Sequence, residues 1–300
     1  NKPGTWYVKA IVGKSQNYNE AESIPFEFEV SKAKLEPSVS AVEPKIYDGN
    51  TNAKGTLTLS SADEKPILSE DAAALEAKGT FTWTSKEAGT DTVNVAGITL
   101  NEEFADRYVL TVTELQNISC DAKITNAKLS DVDVKQLYDL TYTGNPQQPE
   151  TQSTGNTVDN TAIAFHYGLT AEQAADEKQW LSNVPTFTDA GIYTVYYTAS
   201  AANHDSVSGS FEIKIKNASI TGVDAAGYTG IYDGHSHGIK ITLTGKAENG
   251  EILYGESEDN CTLTESPVYN NTGSYTVYYT VTKKNFDTIS GSATVAITQA

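Results

Sequence analysis

Methionine is absent from this 300-residue chain, which has only two cysteines, four histidines, and 21 basic residues against 39 acidic ones. Each scarcity narrows what the chain can be. Cys120 and Cys261 stand far apart at non-equivalent places. They do not supply the paired framework of a disulfide-stapled scaffold and are expected as single buried thiols. The formal net charge is −18 and is spread along the whole chain. With no basic stripe to neutralise phosphates, nucleic acid is excluded as a partner, and a solvated, self-repelling, monomeric protein is expected. No apolar run reaches the roughly 18 residues that a spanning helix needs, so no membrane insertion is expected. No signal peptide is found, and the chain opens partway through a repeat, as expected of a piece of a longer protein.

What the chain does have is Thr, Ser, Gly, Asn and Tyr, which favour strands and turns, and a sentence written more than once. Residues 189–215 read DAGIYTVYYTASAANHDSVSGSFEIKI, and residues 271–297 read NTGSYTVYYTVTKKNFDTISGSATVAI. Gly191, Tyr193, Val195, Tyr196, Tyr197, Asn203, Asp205, Ser208, Gly209 and Ser210 all recur 82 positions later without a gap. A looser copy, from Gly4 to Val30, opens the chain. Self-similarity at this period implies tandem domains on one plan. A short junction motif recurs as well: KAKL at Lys32–Leu35, NAKL at Asn126–Leu129, NASI at Asn217–Ile220, and its beginning at Gln299–Ala300. It divides the chain into 1–33, the last strands of an incomplete repeat, and three domains at 34–127, 128–218 and 219–300. The joints hold no Pro or Gly run and are expected to be tight.

Within the repeats, Tyr193, Val195, Tyr197 and Ala199 alternate with polar residues, as do Tyr275, Val277, Tyr279 and Val281, and Trp6, Val8, Ala10 and Val12. That period of two predicts strands with one buried face. Phe211, Ile213 and Ile215 continue it in the closing strand. Asn203–Asp205 and Ser208–Gly209 read as turns. Two inserts read as short helices: Ser69–Lys78, with a serine cap and Gly79 beyond its end, and Thr170–Trp180, with Thr170 and Gln173 as a capping box. The fold class expected is all-β: tandem immunoglobulin-like β-sandwiches arranged end to end, with short helical inserts.

Asp189–Val195 resembles the D-x-G-x-Y-x-C stretch of immunoglobulin domains, with Val195 in place of the cysteine. The resemblance implies a structural corner in which the Tyr193 hydroxyl, and Tyr275 in the next copy, bonds to nearby backbone. The segments KIYDGNTNA (Lys45–Ala53), YTGNPQQP (Tyr142–Pro149) and IYDGHSHG (Ile231–Gly238), with the GxYTVYY strands, resemble the MBG and YDG families of bacterial immunoglobulin-like repeats. Residues 34–127 are similar to the YDG variant, without a clear GxYTVYY strand, and 128–218 and 219–300 to the MBG variant. The resemblance implies stalk or adhesive modules of bacterial proteins that are secreted or held at the cell surface or cell wall. It implies no catalytic residues.

Candidate chemistry is sparse. His235 and His237 could be alternating metal ligands, but Gly234–Gly238 also reads as a polar turn without a third ligand. Asp131, Asp133, Asp205 and Asp287 with Asn203 and Asn285 could offer oxygen to Ca²⁺, yet the D-x-D-x-[DN]-G loop is missing. Trp6, Trp83 and Trp180 could stack on sugars, although Trp6 is in the inward register and reads as core. Tyr196 and Tyr278, outward at equivalent places, are the surface-contact candidates, and the partner would be an extracellular glycan or a host protein. His166 and His204 lack a nucleophile motif. Lys214 and Lys240 read outward, against an internal lysine crosslink. No catalytic, metal or cofactor site is assigned. The chain is expected to be a non-catalytic stalk or spacer of a bacterial adhesin-like surface protein. The alternatives are a directly binding adhesin and an accessory region of a secreted polysaccharide-degrading enzyme.

Overall fold

A computed structural model describes residues 2–63 and 65–300. Strand makes up 51% of it and helix 4%, so the chain is all-β. It divides into two bodies: residues 1–130 with 156–163 and 200–206, and residues 131–155, 164–199 and 207–300. The loops 156–163 and 200–206, which the sequence assigns to the 128–218 repeat, thus belong with the first body.

In the first body, Gly4–Val8 pairs antiparallel with Phe26–Val30, with Trp6 opposite Phe28. Trp6 is 46% exposed, contrary to its reading as core. Its strand alternates as expected, but this two-stranded ribbon has no facing sheet among the described residues to cover the apolar side. The segment that follows packs two three-stranded sheets. In one, Ala33–Val42 runs between Gly55–Ser61 and, in parallel, Tyr108–Leu110. In the other, Thr92–Leu100 runs between Ala77–Trp83 and Leu115–Ser119. Alternation puts Phe81, Trp83, Val93 and Val95 into one core with Tyr47, Ile98 and Ile124. Leu35, Phe104 and Tyr108 form a second, smaller cluster. Beside it Asp71 is buried without being orphaned: Arg107 Nη1 lies 2.6 Å from Oδ1, and the Tyr108 hydroxyl donates to Oδ2 at 2.7 Å.

The helix expected at Ser69–Lys78 does not form. The chain makes turns there, with Ala72 N–H bonding Leu68 O and Leu75 N–H bonding Asp71 O, and Ala77–Lys78 already belong to a strand. Capture of Asp71 by Arg107 and Tyr108 ties down the middle of the segment, and so short a helix has little to oppose that. The second insert is helical only over Ala171–Ala175, where Thr170 accepts from Gln173 N–H. The Gln173 side chain returns to Leu169 N–H, closing the cap one residue early.

The second body holds two four-stranded sheets built alike. In the first the order is Leu140–Thr141, Val207–Lys216, Gly191–Ser200, Ala164–Gly168. In the other it is Tyr228–Ile231, Ile289–Thr298, Gly273–Thr282, Glu251–Gly255. Their registers coincide: Tyr193 faces Ile213 and Val195 faces Phe211, as Tyr275 faces Val295 and Val277 faces Ala293. Val195, Tyr197 and Ile213 are buried in one core with Val134 and Tyr167, and Val277, Tyr279 and Val295 in another with Ile220 and Ile239. Cys120 and Cys261 are free thiols, partly rather than fully buried, because each sits in a loop at the margin of its core.

Candidate functional site

The repeated sentence builds a repeated joint. In each copy the turn after the long GxYTVYY-type strand carries an asparagine with positive φ, Asn203 at 61° and Asn285 at 69°. Left-handed backbone is tolerated by asparagine better than by other side-bearing residues, and it turns the side chain outward from the hairpin tip. Asn203 Oδ1 accepts from Ala88 N–H at 2.9 Å, and its Nδ2 donates to Glu87 Oε2 at 2.5 Å. Asn285 does the same with Asp189-Ala190: Oδ1 accepts from Ala190 N–H at 3.1 Å, and Nδ2 donates to Asp189 Oδ1 at 2.8 Å. The junction alanines complete the clasp. Ala127 N–H donates to Asn203 O at 2.9 Å and Ala218 N–H to Asn285 O at 3.0 Å. One asparagine therefore satisfies an acid-Ala-Gly turn on one side and the connecting strand on the other.

The residue after the asparagine supplies a ring. His204 meets Tyr47 edge-on at 5.6 Å and 75°, and Phe286 meets Tyr142 at 5.4 Å and 79°. Tyr47 and Tyr142 are equivalent, since each donates the same backbone bond through its N–H, to Thr125 O and Lys216 O. The residue after that is acidic in both copies. Asp205 accepts from Asn126 Nδ2 at 3.2 Å, and Asp287 pairs with Ser219.

Electrostatics distinguish the two. In the first joint the Tyr47 hydroxyl donates to Asp159 Oδ2 at 2.7 Å, and Thr161 adds bonds from its N–H and Oγ1. These donors, the tyrosine foremost, pull the Asp159 carboxyl down to about 2, while the same bond and burial raise the Tyr47 phenol. His204 Nδ1 lies 2.7 Å from Ala202 O, and Nε2 accepts from Val158 N–H at 3.3 Å, so both ring nitrogens are engaged. In the second joint Lys284 Nζ lies 2.7 Å from Asp189 Oδ2. Lys284 first, and Asn285 with it, lower the Asp189 carboxyl, and Asp189 in return raises the Lys284 ammonium. This pair is solvent-exposed and adds little by itself. Behind Asp189 stands the corner tyrosine: Tyr193 stacks on Phe187 at 4.2 Å, and its hydroxyl donates to Asp189 O at 2.8 Å. Tyr275 stacks likewise on Tyr269 at 4.1 Å, but its hydroxyl reaches Thr272 O only at 3.5 Å.

Asn203, His204, Asp205, Asn285 and Asp287 thus enter joints, whereas the other candidates are scattered. Tyr196 and Tyr278 are half-buried and alternate with the buried Val195, Tyr197, Val277 and Tyr279, on the opposite face of their sheets; Tyr278 borders a shallow cleft with Glu258, Ser290 and Ser292. Asp131 and Asp133 lie on a strand facing solvent. His235 and His237 both turn to Asp233, with His237 Nε2 3.0 Å from it and its ring stacked on Tyr228. Trp83 is core, and Trp180 stacks on His166 at 3.5 Å. Lys214 and Lys240 are exposed. Among the described residues no group of three or more His, Cys, Asp or Glu is arranged to hold a metal ion. The sequence reading missed Glu87-Ala88-Gly89 as the start of a GxYTVYY-type strand. Gly89, Thr92, Val93 and Val95 match Gly191, Thr194, Val195 and Tyr197, but Asp91 stands where the corner tyrosine would be.

No curated protein matches the chain. Among solved structures it is similar to Sidekick-1 immunoglobulin domains 1–5, at 11% identity and a TM-score of 0.30 over 99% of this chain and 67% of that one. It is similar also to protocadherin gamma B2 cadherin domains 3–6, at 12% and 0.27 over 99% and 83%. Domains 1–6 of the surface layer protein SbsC match at 12% and 0.25, over 100% of this chain and 45% of that one. Likenesses this loose carry no argument about function. The YDG domain family matches residues 31–115, the segment that carries Tyr47 and the Glu87-Ala88-Gly89 half of the first joint.

Proposed function

We propose that this chain is a non-catalytic spacer segment of a bacterial cell-surface, adhesin-type protein, a run of YDG- and MBG-type repeats that positions other modules. The observation that carries this reading is that one clasp, acid-Ala-Gly with asparagine-ring-acid, occurs twice with corresponding hydrogen bonds. A chain whose recurring polar chemistry is invested in its joints gains connected modules rather than a reaction centre. The YDG match supports the family reading for residues 31–115, and the MBG-like segments and the extracellular setting follow from the motif resemblance. Stretching single full-length chains tests it. Separate rupture events are expected, each releasing on the order of 300 Å of contour for a repeat of roughly 80–95 residues. One cooperative rupture of the whole chain, or turnover of a polysaccharide or peptide by the purified protein, overturns the reading.

A further inference from the structure

The last repeat carries the receiving half of the same joint with nothing upon it among the described residues. Tyr232 N–H donates to Thr298 O, as Tyr47 N–H does to Thr125 O and Tyr142 N–H to Lys216 O. Asn271-Thr272-Gly273 stands where Asp189-Ala190-Gly191 stands one repeat earlier, and Ala300 where Ala218 stands. Exposure of the tyrosine follows occupancy: Tyr47, under His204, is 3% exposed; Tyr142, under Phe286, is half-buried; Tyr232 is 49% exposed. Asn271, Thr272 and Gly273 are all exposed.

The geometry points to this surface as a docking site for the asparagine-ring turn of another such repeat, and the occupant it fits is a second copy of residues 219–300. That copy offers Asn285 and Phe286, the residues that already fill the equivalent surface at Ala190 and Tyr142. Thr272 N–H would donate to the incoming asparagine Oδ1, Ala300 N–H to its carbonyl, and Tyr232 would take the phenylalanine edge. One element is changed. Asn271 replaces the carboxylate of Glu87 and Asp189, so the bond from the incoming Nδ2 is neutral and the lysine before the asparagine finds no charge. A charge-assisted bond is roughly twice as strong as a neutral one, and docking here is accordingly weaker than at Asp189. The inference rests on the joints as docking devices and is independent of the surface-spacer role.

The test lengthens the full chain by a copy of residues 219–300 placed directly after Ala300, with amide hydrogen exchange as the readout. Exchange at Thr272 and Ala300 is expected to slow about tenfold relative to the original chain, as a newly bonded amide does. Replacing the asparagine equivalent to Asn285 by glycine in the added copy should restore fast exchange, while its strand amides stay protected. Asn271→Asp should slow exchange a further few-fold. A folded added copy that leaves Thr272 and Ala300 exchanging as before overturns the inference. So does failure of any added repeat to fold, with a copy of residues 128–218 and its Asn203-His204 turn as the second variant. The spacer reading fails by other measurements, cooperative rupture or turnover, so the two outcomes are separable.

Discussion

Gly209 lies directly opposite Tyr197 on the paired strand, and a Cβ built on it would come within 2.6 Å of the tyrosine Cζ. Gly291 stands in the same relation to Tyr279, again at 2.6 Å. The bare glycine lets each ring lie flat across its neighbour strand and seal the core, the arrangement by which aromatics cover glycines in sheets. This explains why YTVYY and SGS recur together. Gly209→Ala and Gly291→Ala are each expected to destabilise the protein by about 1–3 kcal/mol, the range for overpacking. Replacing the adjacent exposed Ser290 should change little. Denaturant unfolding measures both. An alanine tolerated without loss would show that the ring moves freely aside.

The corner tyrosines separate by their hydroxyls. Tyr193 donates to Asp189 O at 2.8 Å, whereas Tyr275 is 3.5 Å from Thr272 O, too long for a strong bond. Tyr193→Phe should cost about 1 kcal/mol, and Tyr275→Phe only a fraction of that. Asp189 also receives Asn285 and Lys284, so Tyr193→Phe should in addition speed amide exchange at Ala190. Equal costs at the two positions would contradict the difference in geometry.

Much of this fold is legible in the residues. Alternation from Tyr193 to Ala199 and from Tyr275 to Val281 marks strands whose inward members are the buried ones, and the residues that recur at a spacing of 82 mark sheets of identical register. Three features escape for physical reasons. The Ser69–Lys78 stretch has helical composition, but burial of Asp71 against Arg107 and Tyr108, far off in sequence, outweighs local propensity. Gly89–Val95 is hidden because its corner position holds Asp91, although its valines keep the phase. The joints are hidden because asparagine at a hairpin tip reads as turn chemistry whether or not its side chain reaches another segment. Only the coincidence of acid-Ala-Gly with Asn-ring-acid in successive copies points to the clasp.

Two glycine-against-alanine comparisons separate the roles of the joint asparagines. Asn203→Gly removes the bonds to Ala88 and Glu87 but keeps the left-handed backbone. A loss of about 1–2 kcal/mol is expected, part of it from a charge-assisted bond. Asn203→Ala removes the same bonds and adds a left-handed Cβ, for about 1 kcal/mol more. The order should be the same at Asn285. Amide exchange at Ala88 and Ala190 reports whether the loss is at the joint. A glycine variant as stable as the parent would show that the asparagine serves only its own turn.

Acid should release the first joint at a pH set by Asp159. Its carboxyl sits at about 2 in the folded protein, held there by the Tyr47 hydroxyl and Thr161, against roughly 3.9 for an unfolded aspartate. The folded value is the lower one, so the unfolded chain binds the proton first. The stabilisation is complete above about pH 4 and fades as pH falls through about 2. Asp159→Asn should remove this part of the acid sensitivity, and Tyr47→Phe should shrink it by withdrawing the largest cause of the shift. In a double-mutant cycle the two substitutions should be less than additive, because they remove one bond. The check is the unfolding midpoint measured from pH 2 to 7 in parent and variants. A parent profile indistinguishable from that of Asp159→Asn below pH 4 would refute the assignment of this carboxylate as the acid-sensitive element of the joint.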